Sequence, residues 1–598
     1  MKQKLIVSFA ALLLQQAISF SQTNPLVKYL PDNASMVMSF NPTRLADKVP
    51  GETFRQSMMY REMMQKDNDW LKTFFSDPSA SGIDFLNDLL LVTVKDTSDK
   101  YSGSPVNILG VIKNEGLFEL AIKKLSKGKD SLHIYGTDKI FFSENVGATL
   151  GWNSRIFVIS TGAGRQIREE MSGVFSDTAG VKDYDKSMKK LMDKIQRAQR
   201  DLCFYLLTPR PDNTLSGNTQ FTGLMNSSGD IKVWNSGTSP NPVFSKIPQL
   251  ALFSKLQSLT GKNKTSVINF ENGKIAIQSR SYLEGAMAEI YKRYPRQVIN
   301  TDLTRRLPKG KVLLLMNTSY NTEMGKELMD KSELGELIAE AKGKIPFDFS
   351  SIQGVFKNNM MLAVIKSDEV AASDSITDKM GGLQVFLAMP IADKTKFEAL
   401  RSTAKHTLDS LKNAESGAKM LKGFNPFVKY NDDLFVLSLS AEAASAFING
   451  PASGTVPEWL QAYDRHPMVM HLNLKELFAM LMGKNSKGIA GAAEKIVLDM
   501  FDQLVVYGGD FENESLNTTM EFKFTNQNDN ALKQLFELIN TIGEKNKNVI
   551  AEENRNTTTD TITIESIKQE KEDRVPPPPP PPKPGKNIKT PPKKKTKN

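Results

Sequence analysis

Leu30-Pro31-Asp32-Asn33-Ala34 runs into Ser35-Met36-Val37-Met38-Ser39-Phe40 and stops at Asn41, and the chain later repeats that phrase. There Leu307-Pro308-Lys309-Gly310 runs into Lys311-Val312-Leu313-Leu314-Leu315-Met316 and stops at Asn317. In both places a proline and a turn residue precede a β-rich run, the punctuation of a strand start. A polar, helix-forming stretch follows each, over 53–75 and 322–342. Next come Ile83-Asp84-Phe85 with a strand over 89–94, and Pro346-Phe347-Asp348-Phe349 with a strand over 361–365.

The parallel continues outward. A strand over 105–111 leads to a helix over 116–125, and a strand over 383–389 leads to a helix over 395–411. Leu117, Leu120, Ala121 and Leu125 in one helix, and Phe397, Leu400, Ala404 and Leu408 in the other, recur at helical spacing and predict the buried faces. Hairpin-like sections over 132–142 with 155–160, and 427–430 with 433–439, are followed by late strands over 202–207 and 468–474. Each unit closes with two long strands and a helix: 265–270, 274–280 and 284–294 in the first, 503–511, 516–524 and 530–542 in the second.

This order predicts an α+β fold of two tandem similar domains, 24–300 and 301–546. Alternation such as Ile275-Ala276-Ile277-Gln278-Ser279 predicts mainly antiparallel sheets covered by helices on one face. The Gly/Asn/Ser/Pro-rich stretch 208–246 reads as a flexible surface loop. By analogy with other duplicated folds, a binding groove is expected at the domain junction near 295–310.

Residues 1–21 read as a secretory signal peptide, with Lys2 and Lys4 ahead of an apolar stretch from Leu5 to Leu14 and Ser19-Phe20-Ser21 before the cleavage point. No Cys follows, so a lipid-modified N-terminus is not expected. No later apolar run is long enough for a spanning helix.

The chain carries a net charge of +10, which suggests nucleic acid until the charge is located. Two Lys lie in 1–21 and seven in 576–598, with no acid in either, which leaves 22–575 at +1. A neutral body lacks the basic face that phosphate binding requires. The basicity belongs to a tail, 547–598, whose polar and charge-alternating composition cannot build a core. Pro576 to Pro582 form a polyproline rod, followed by Lys583, Lys586, Lys589, Lys593, Lys594, Lys595 and Lys597. Those lysines are the candidate contact to an anionic envelope polymer or to lipid headgroups. The plainer reading is a solubilising tail.

Chemistry-bearing motifs are sparse. Cys203 is the single cysteine and sits in the apolar run Leu202-Cys203-Phe204-Tyr205-Leu206-Leu207, which reads as a strand burying an inert thiol. Phosphate-loop, dinucleotide, nucleophile-elbow and zinc-helix patterns are missing. His466 and His471 are five apart, which in a strand sends them to opposite faces, and His133 and His406 stand apart from them. No metal site and no cofactor are expected. Asp84 and Asp348 occupy matched places and read as turn or capping residues, as do Asp67-Asn68-Asp69 and Asn431-Asp432-Asp433. Met58, Met59, Met63 and Met64 read as packing.

Tyr29-Leu30-Pro31-Asp32-Asn33-Ala34-Ser35-Met36-Val37, followed by Gly82-Ile83-Asp84-Phe85, resembles the start of an exported Bacteroidetes family known as domain of unknown function 4836. The resemblance covers most of 24–545. It implies an envelope address and carries no catalytic or binding residue. The chain departs from the family in lacking the lipoprotein Cys and in adding the Pro/Lys tail. The expected protein is therefore a non-enzymatic, exported binding or scaffold body with a cationic tether, periplasmic or outer-envelope associated. The alternatives are a hydrolase acting on envelope polymers, or a periplasmic carrier of an apolar ligand, which needs an enclosed apolar cavity.

Overall fold

The computed structural model describes residues 24–65, 77–94, 106–126, 132–143, 147–161, 184–210, 212–237, 261, 263–331, 352–366, 382–413, 427–450, 456–481 and 499–544. In chain order its first strands are β1 (Ala34–Phe40), β2 (Leu89–Val94), β3 (Val106–Val111), β4 (Leu132–Tyr135), β5 (Asp138–Ser143), β6 (Ala148–Trp152), β7 (Ile156–Thr161), β8 (Ile231–Ser236), β9 (Asn263–Glu271) and β10 (Lys274–Tyr282). There follow β11 (Lys311–Ser319), β12 (Asn359–Lys366), β13 (Leu383–Pro390), β14 (Phe427–Tyr430), β15 (Leu434–Ser438), β16 (Met468–Asn473), β17 (Phe501–Glu512) and β18 (Ser515–Phe524). Between them run helices α1 (Pro42–Asp47), α2 (Gly51–Arg55), α3 (Met58–Gln65), α4 (Glu115–Ser126), α5 (Tyr184–Leu207), α6 (Thr219–Asn226), α7 (Ala286–Arg293) and α8 (Thr301–Arg305). In the later part lie α9 (Thr322–Lys331), α10 (Lys394–Asn413), α11 (Ala441–Asn449), α12 (Glu458–Gln461), α13 (Leu474–Leu481) and a helix α14 over 531–544.

The strands form one 18-stranded antiparallel sheet, where separate sheets were expected. Its spatial order is β4-β5-β6-β7-β3-β2-β1-β8-β9-β10-β18-β17-β16-β11-β12-β13-β15-β14. Starting from the β10–β18 pair, the order reads alike in both directions. On one side β9, β8, β1, β2, β3, β7 and β6 follow; on the other β17, β16, β11, β12, β13, β15 and β14. The β4–β5 hairpin is an addition on the first side.

Helices cover both faces of the sheet, which corrects the one-faced arrangement. Neighbouring residues of a strand point to opposite faces. Val158 on β7 packs with Cys203 and Leu206 of α5, while Phe157 packs with Phe118 of α4. In the second half Val436 on β15 packs with Phe447 of α11, while Phe435 packs with Phe397 of α10. Each half therefore has two apolar cores, one on either side of its strands.

The closing helices cross between halves. α14 packs on the helices that follow β1: the rings of Phe536 and Phe54 meet edge to face at 6.0 Å, and Arg61 pairs with Glu544 at 2.5 Å. α7 reaches α9, which follows β11, through an Arg293–Glu327 pair at 2.8 Å.

Three further expectations need correction. Residues 202–207 are the end of the 24-residue helix α5, since the stretch upstream of that short apolar run continues an amphipathic helical pattern. The counterpart of β16 in the first half is β8, which lies inside 208–246, the stretch read as a flexible loop. There Asn218 caps α6 by accepting from Phe221 N–H at 2.9 Å, and Trp234 of β8 is buried against Phe221. The Asn, Ser and Gly of that stretch are caps and turns around ordered elements; residues 238–246 lie outside the described residues. In α4 the buried face is Phe118, Ala121 and Ile122, while Leu117 and Leu120 are exposed. Cys203 is buried as expected, its thiol pushed up by desolvation. No helix among the described residues is long and apolar enough to cross a membrane.

Candidate functional site: a polar groove at the seam

The seam where the halves join is built from β9, β10 and β18. Nine consecutive residues of β10, Lys274 to Tyr282, pair with β18 on one edge and with β9 on the other. No main-chain hydrogen-bonding edge is left open there, so anything recognised at the seam must be read by side chains.

Over these strands lies a groove of about 680 Å³, bounded by α6 and by the β17–β18 turn. That size falls within the roughly 300–1,000 Å³ of small-ligand sites. Its floor is the face on which Trp234, Thr265, Arg280 and Asn517 stand in register across four strands. Gln278, Arg280 and Tyr282 alternate along β10 and line the groove together. Gln278 is flanked by Val267 and Thr519, Arg280 by Thr265 and Asn517, and Tyr282 by Asn263 and Ser515. Every flanking residue is neutral. Gln278 and Arg280 are exposed, Tyr282 is half-buried, and among the described residues none of the three side chains makes a hydrogen bond or ion pair within the protein.

Among the described residues Glu514 is the one carboxylate lining the groove. It stands with Asn513 at the tip of the β17–β18 hairpin, both residues at positive φ (58° and 50°). A two-residue hairpin turn demands that geometry, which a glutamate rarely adopts. Two contacts hold it: Leu283 N–H donates to the Glu514 carbonyl at 2.8 Å, and Lys292 of α7 pairs with its carboxylate at 3.2 Å. Lys292 also pairs with Glu289 at 3.1 Å, so one ammonium serves two carboxylates, and Arg280 is the cation of the described lining that makes no ion pair.

On the same face, farther along β10 and β18, a half-buried polar network ties the halves together. Lys274 Nζ donates to Glu521 Oε1 at 2.9 Å, Tyr463 Oη donates to Glu521 Oε2 at 2.9 Å, and Lys523 Nζ donates to Tyr463 Oη at 3.3 Å. Desolvation and then the Glu521 charge push the Tyr463 hydroxyl up. Burial by itself would lower the Lys274 ammonium; Glu521 and Glu271 outweigh it and its pKa is raised. Tyr507 packs on Tyr463 at 4.5 Å and on His466 at 4.9 Å, and it stands in register with Thr519 of the groove floor. His466 Nδ1 lies 2.7 Å from Asp510 Oδ2, and Asp510 stands in register with Asn517. His471 stacks on Trp459 at 4.1 Å; burial lowers its pKa to about 4, with Gln503 opposing and Lys523 assisting.

The family model described as Domain of unknown function (DUF4836) matches residues 27–532. The chain belongs to that family. The match begins just before β1 and ends at the start of α14, so the whole sheet and its seam lie within it. No curated protein and no solved structure matches the chain. The DUF4836 signature residues at the start of the chain are structural. Tyr29, Leu30 and Ala34 are buried, and the Leu30 carbonyl accepts from Leu215 N–H at 3.1 Å. Gly82 sits at φ 71°, where a Cβ would lie 2.3 Å from the Asn114 carbonyl oxygen.

The residues singled out in the sequence do not converge on the groove. Lys583, Lys586, Lys589, Lys593, Lys594, Lys595 and Lys597 lie outside the described residues, as do Asp67, Asn68, Asp69 and Asp348. Asp84 shapes a turn by accepting from Leu86 N–H at 3.1 Å and Asn87 Nδ2 at 2.9 Å. Asn431 does likewise before β15, accepting from Leu434 N–H at 2.8 Å. His133 lies on the exposed strand β4. No group of three potential metal ligands occurs among the described residues. At the junction 295–310 Ile299, Leu303 and Thr304 are buried and Arg296 Nε donates to the Ser319 carbonyl at 3.0 Å, while Val298 is exposed; none of these residues lines the groove described here. The groove lies instead over the strands that end the two halves. Its residues were missed, although the polar alternation Gln278-x-Arg280-x-Tyr282 was visible in the strand.

Proposed function

We propose that this member of the DUF4836 family is an exported, non-enzymatic binding body made of two duplicated α+β units, with a cationic tail that tethers it to anionic envelope components. The recurring strand order on either side of β10–β18 supports two units of common origin. The observation that carries the binding reading is the seam groove, where Gln278, Arg280 and Tyr282 present polar groups with no partner within the described protein. An open groove of hydroxyl, amide and guanidinium groups suits a polar ligand. It is a poor match to an apolar cargo, which calls for an apolar enclosure. Paired-acid hydrolysis requires two carboxylates astride the bond, and among the described residues Glu514 is the one carboxylate of this lining.

Co-sedimentation of residues 22–598 and 22–575 with isolated envelope fractions, at low and high salt, tests the two parts. Tail-dependent binding that weakens with salt is the expected signature of the tether. Salt-resistant binding retained by 22–575 is the expected signature of the groove. Equal partitioning of both proteins at low salt would sink the tether, and loss of all binding with the tail would sink the body as a receptor.

A further inference from the structure

We propose that the seam groove takes an acidic oligosaccharide, with Arg280 holding a uronate carboxylate, Tyr282 carrying a sugar ring on its face, and Gln278 bonding a hydroxyl. This rests on reading the groove as a ligand site and names the ligand class. Four observations lead to it.

First, the three side chains stand at alternate positions of one strand, two residues apart and on one face. Alternate strand residues are about 6.6 Å apart, so the row presents a guanidinium, an aromatic ring and an amide along a line that suits a linear chain of rings. Second, the surrounding lining is made of short neutral donors and acceptors, among them Thr219, Ser228, Asn517 and Thr519. Such groups satisfy hydroxyls, and they stand beside the apolar side chains of Leu224 and Val267. Third, an extended peptide is ordinarily held by main-chain bonds to a free sheet edge, and β9, β10 and β18 each have both edges paired here.

Fourth, the charge balance selects one isolated anion. Arg280 makes no ion pair among the described residues and its cross-strand neighbours are neutral, while the one carboxylate of the described lining, Glu514, is engaged by Lys292, which it shares with Glu289. A guanidinium fork accepts a carboxylate through two parallel hydrogen bonds. A densely phosphorylated or sulfated polymer would need several cations, and among the described residues the lining has one.

The test is calorimetric titration of the full mature chain with oligogalacturonate, alginate and hyaluronan oligosaccharides, with methyl-esterified oligogalacturonate as the uncharged control and tetraglutamate as the acidic peptide control. At least one uronate oligomer is expected to bind, with the esterified form at least tenfold weaker. Arg280→Gln is expected to bring the acidic ligand down to the esterified level, and Tyr282→Ala to weaken both forms. Arg280→Lys, which keeps the charge and loses the fork, is expected to fall between. Equal binding of acidic and esterified forms, each weakened by Tyr282→Ala, would overturn the acidic class while leaving the groove as a glycan site. Tetraglutamate binding as tightly and with the same Arg280→Gln loss would overturn the glycan class. Uronate binding untouched by all three substitutions would overturn both the inference and the groove. No binding by any uronate oligomer would overturn the inference alone. The three positions are exposed or half-buried, so unchanged melting temperatures of the variants exclude unfolding as the cause of any loss.

Discussion

The two halves of the sheet share a pairing order and differ in what they bury at its centre. Counting back from Asn41 and Asn317, Ser39 of β1 corresponds to Leu315 of β11. Lys232 of β8 stands opposite the first and His471 of β16 opposite the second. Both basic side chains are nearly closed off from solvent, at 7 % and 3 % exposure. The first half satisfies its lysine locally, with Nζ donating to the Met225 carbonyl at 2.7 Å. The second half stacks a neutral imidazole on Trp459 and places its charge one strand group away, around Glu521. One topology thus accommodates two solutions to the same buried position. Strand pairing depends on backbone groups, while the polar content of a core depends on whichever partners the covering helices supply.

Substitutions in each half sharpen that contrast. The largest effect at neutral pH is expected at Glu521, whose side chain is 9 % exposed and holds Lys274, Tyr463 and Lys523. Glu521→Ala leaves the buried Tyr463 hydroxyl without its acceptor and the half-buried Lys274 with only Glu271, at 3.4 Å, and should cost about 2 kcal/mol, read from urea unfolding at pH 7. A cost below about 0.5 kcal/mol would mean that the seam is not held by this network.

His471 should make the second half acid-sensitive. Its folded pKa of about 4 lies below the ordinary 6.5, so the unfolded chain binds more protons between those values. Stability is full above about pH 6.5 and falls by on the order of 3 kcal/mol as pH drops to 4. His471→Leu should flatten that part of the stability–pH curve; an unchanged slope would place the protonation elsewhere.

Lys232 should answer in the opposite window. Burial lowers its ammonium pKa, with Asp88 opposing, so its contribution grows as pH rises toward the ordinary lysine value and is smallest near neutrality. Lys232→Met leaves the Met225 carbonyl without its donor, at about 1 kcal/mol. The deficit relative to the natural chain should widen between pH 7 and 10. If it narrows, the lysine is not held toward neutrality by burial.

The smallest effect belongs to the groove. Arg280→Gln touches an exposed side chain without an internal partner and should change stability by no more than about 0.5 kcal/mol. A larger loss would make Arg280 part of the scaffold.

Much of the fold was legible in the chain, because strands and helices announce themselves by local periodicity. Ala34–Phe40 and Lys311–Ser319 begin after the same Leu-Pro turn, and the long alternating runs that end each half are strands as read, β9 with β10 and β17 with β18. Legibility failed where composition imitated something else. An apolar run of six residues cannot distinguish a strand from the end of a helix, and Leu202 to Leu207 fell on the wrong side. Asn218 and Ser227-Ser228-Gly229 suggested a loop, although they flank α6 and lead into β8, a central strand.

The sequence by itself determined the antiparallel character, the repeated order of elements and the location of the excess charge, since each follows from residues close together in the chain. Tertiary structure alone decided that β10 pairs with β18, that α7 and α14 pack on the opposite half, and that Gln278, Arg280 and Tyr282 face a groove. A strand edge carries the same N–H and C=O groups whichever partner it meets. The choice among partners is made by the packing of distant helices, and a groove exists only where elements from far along the chain leave a space between them.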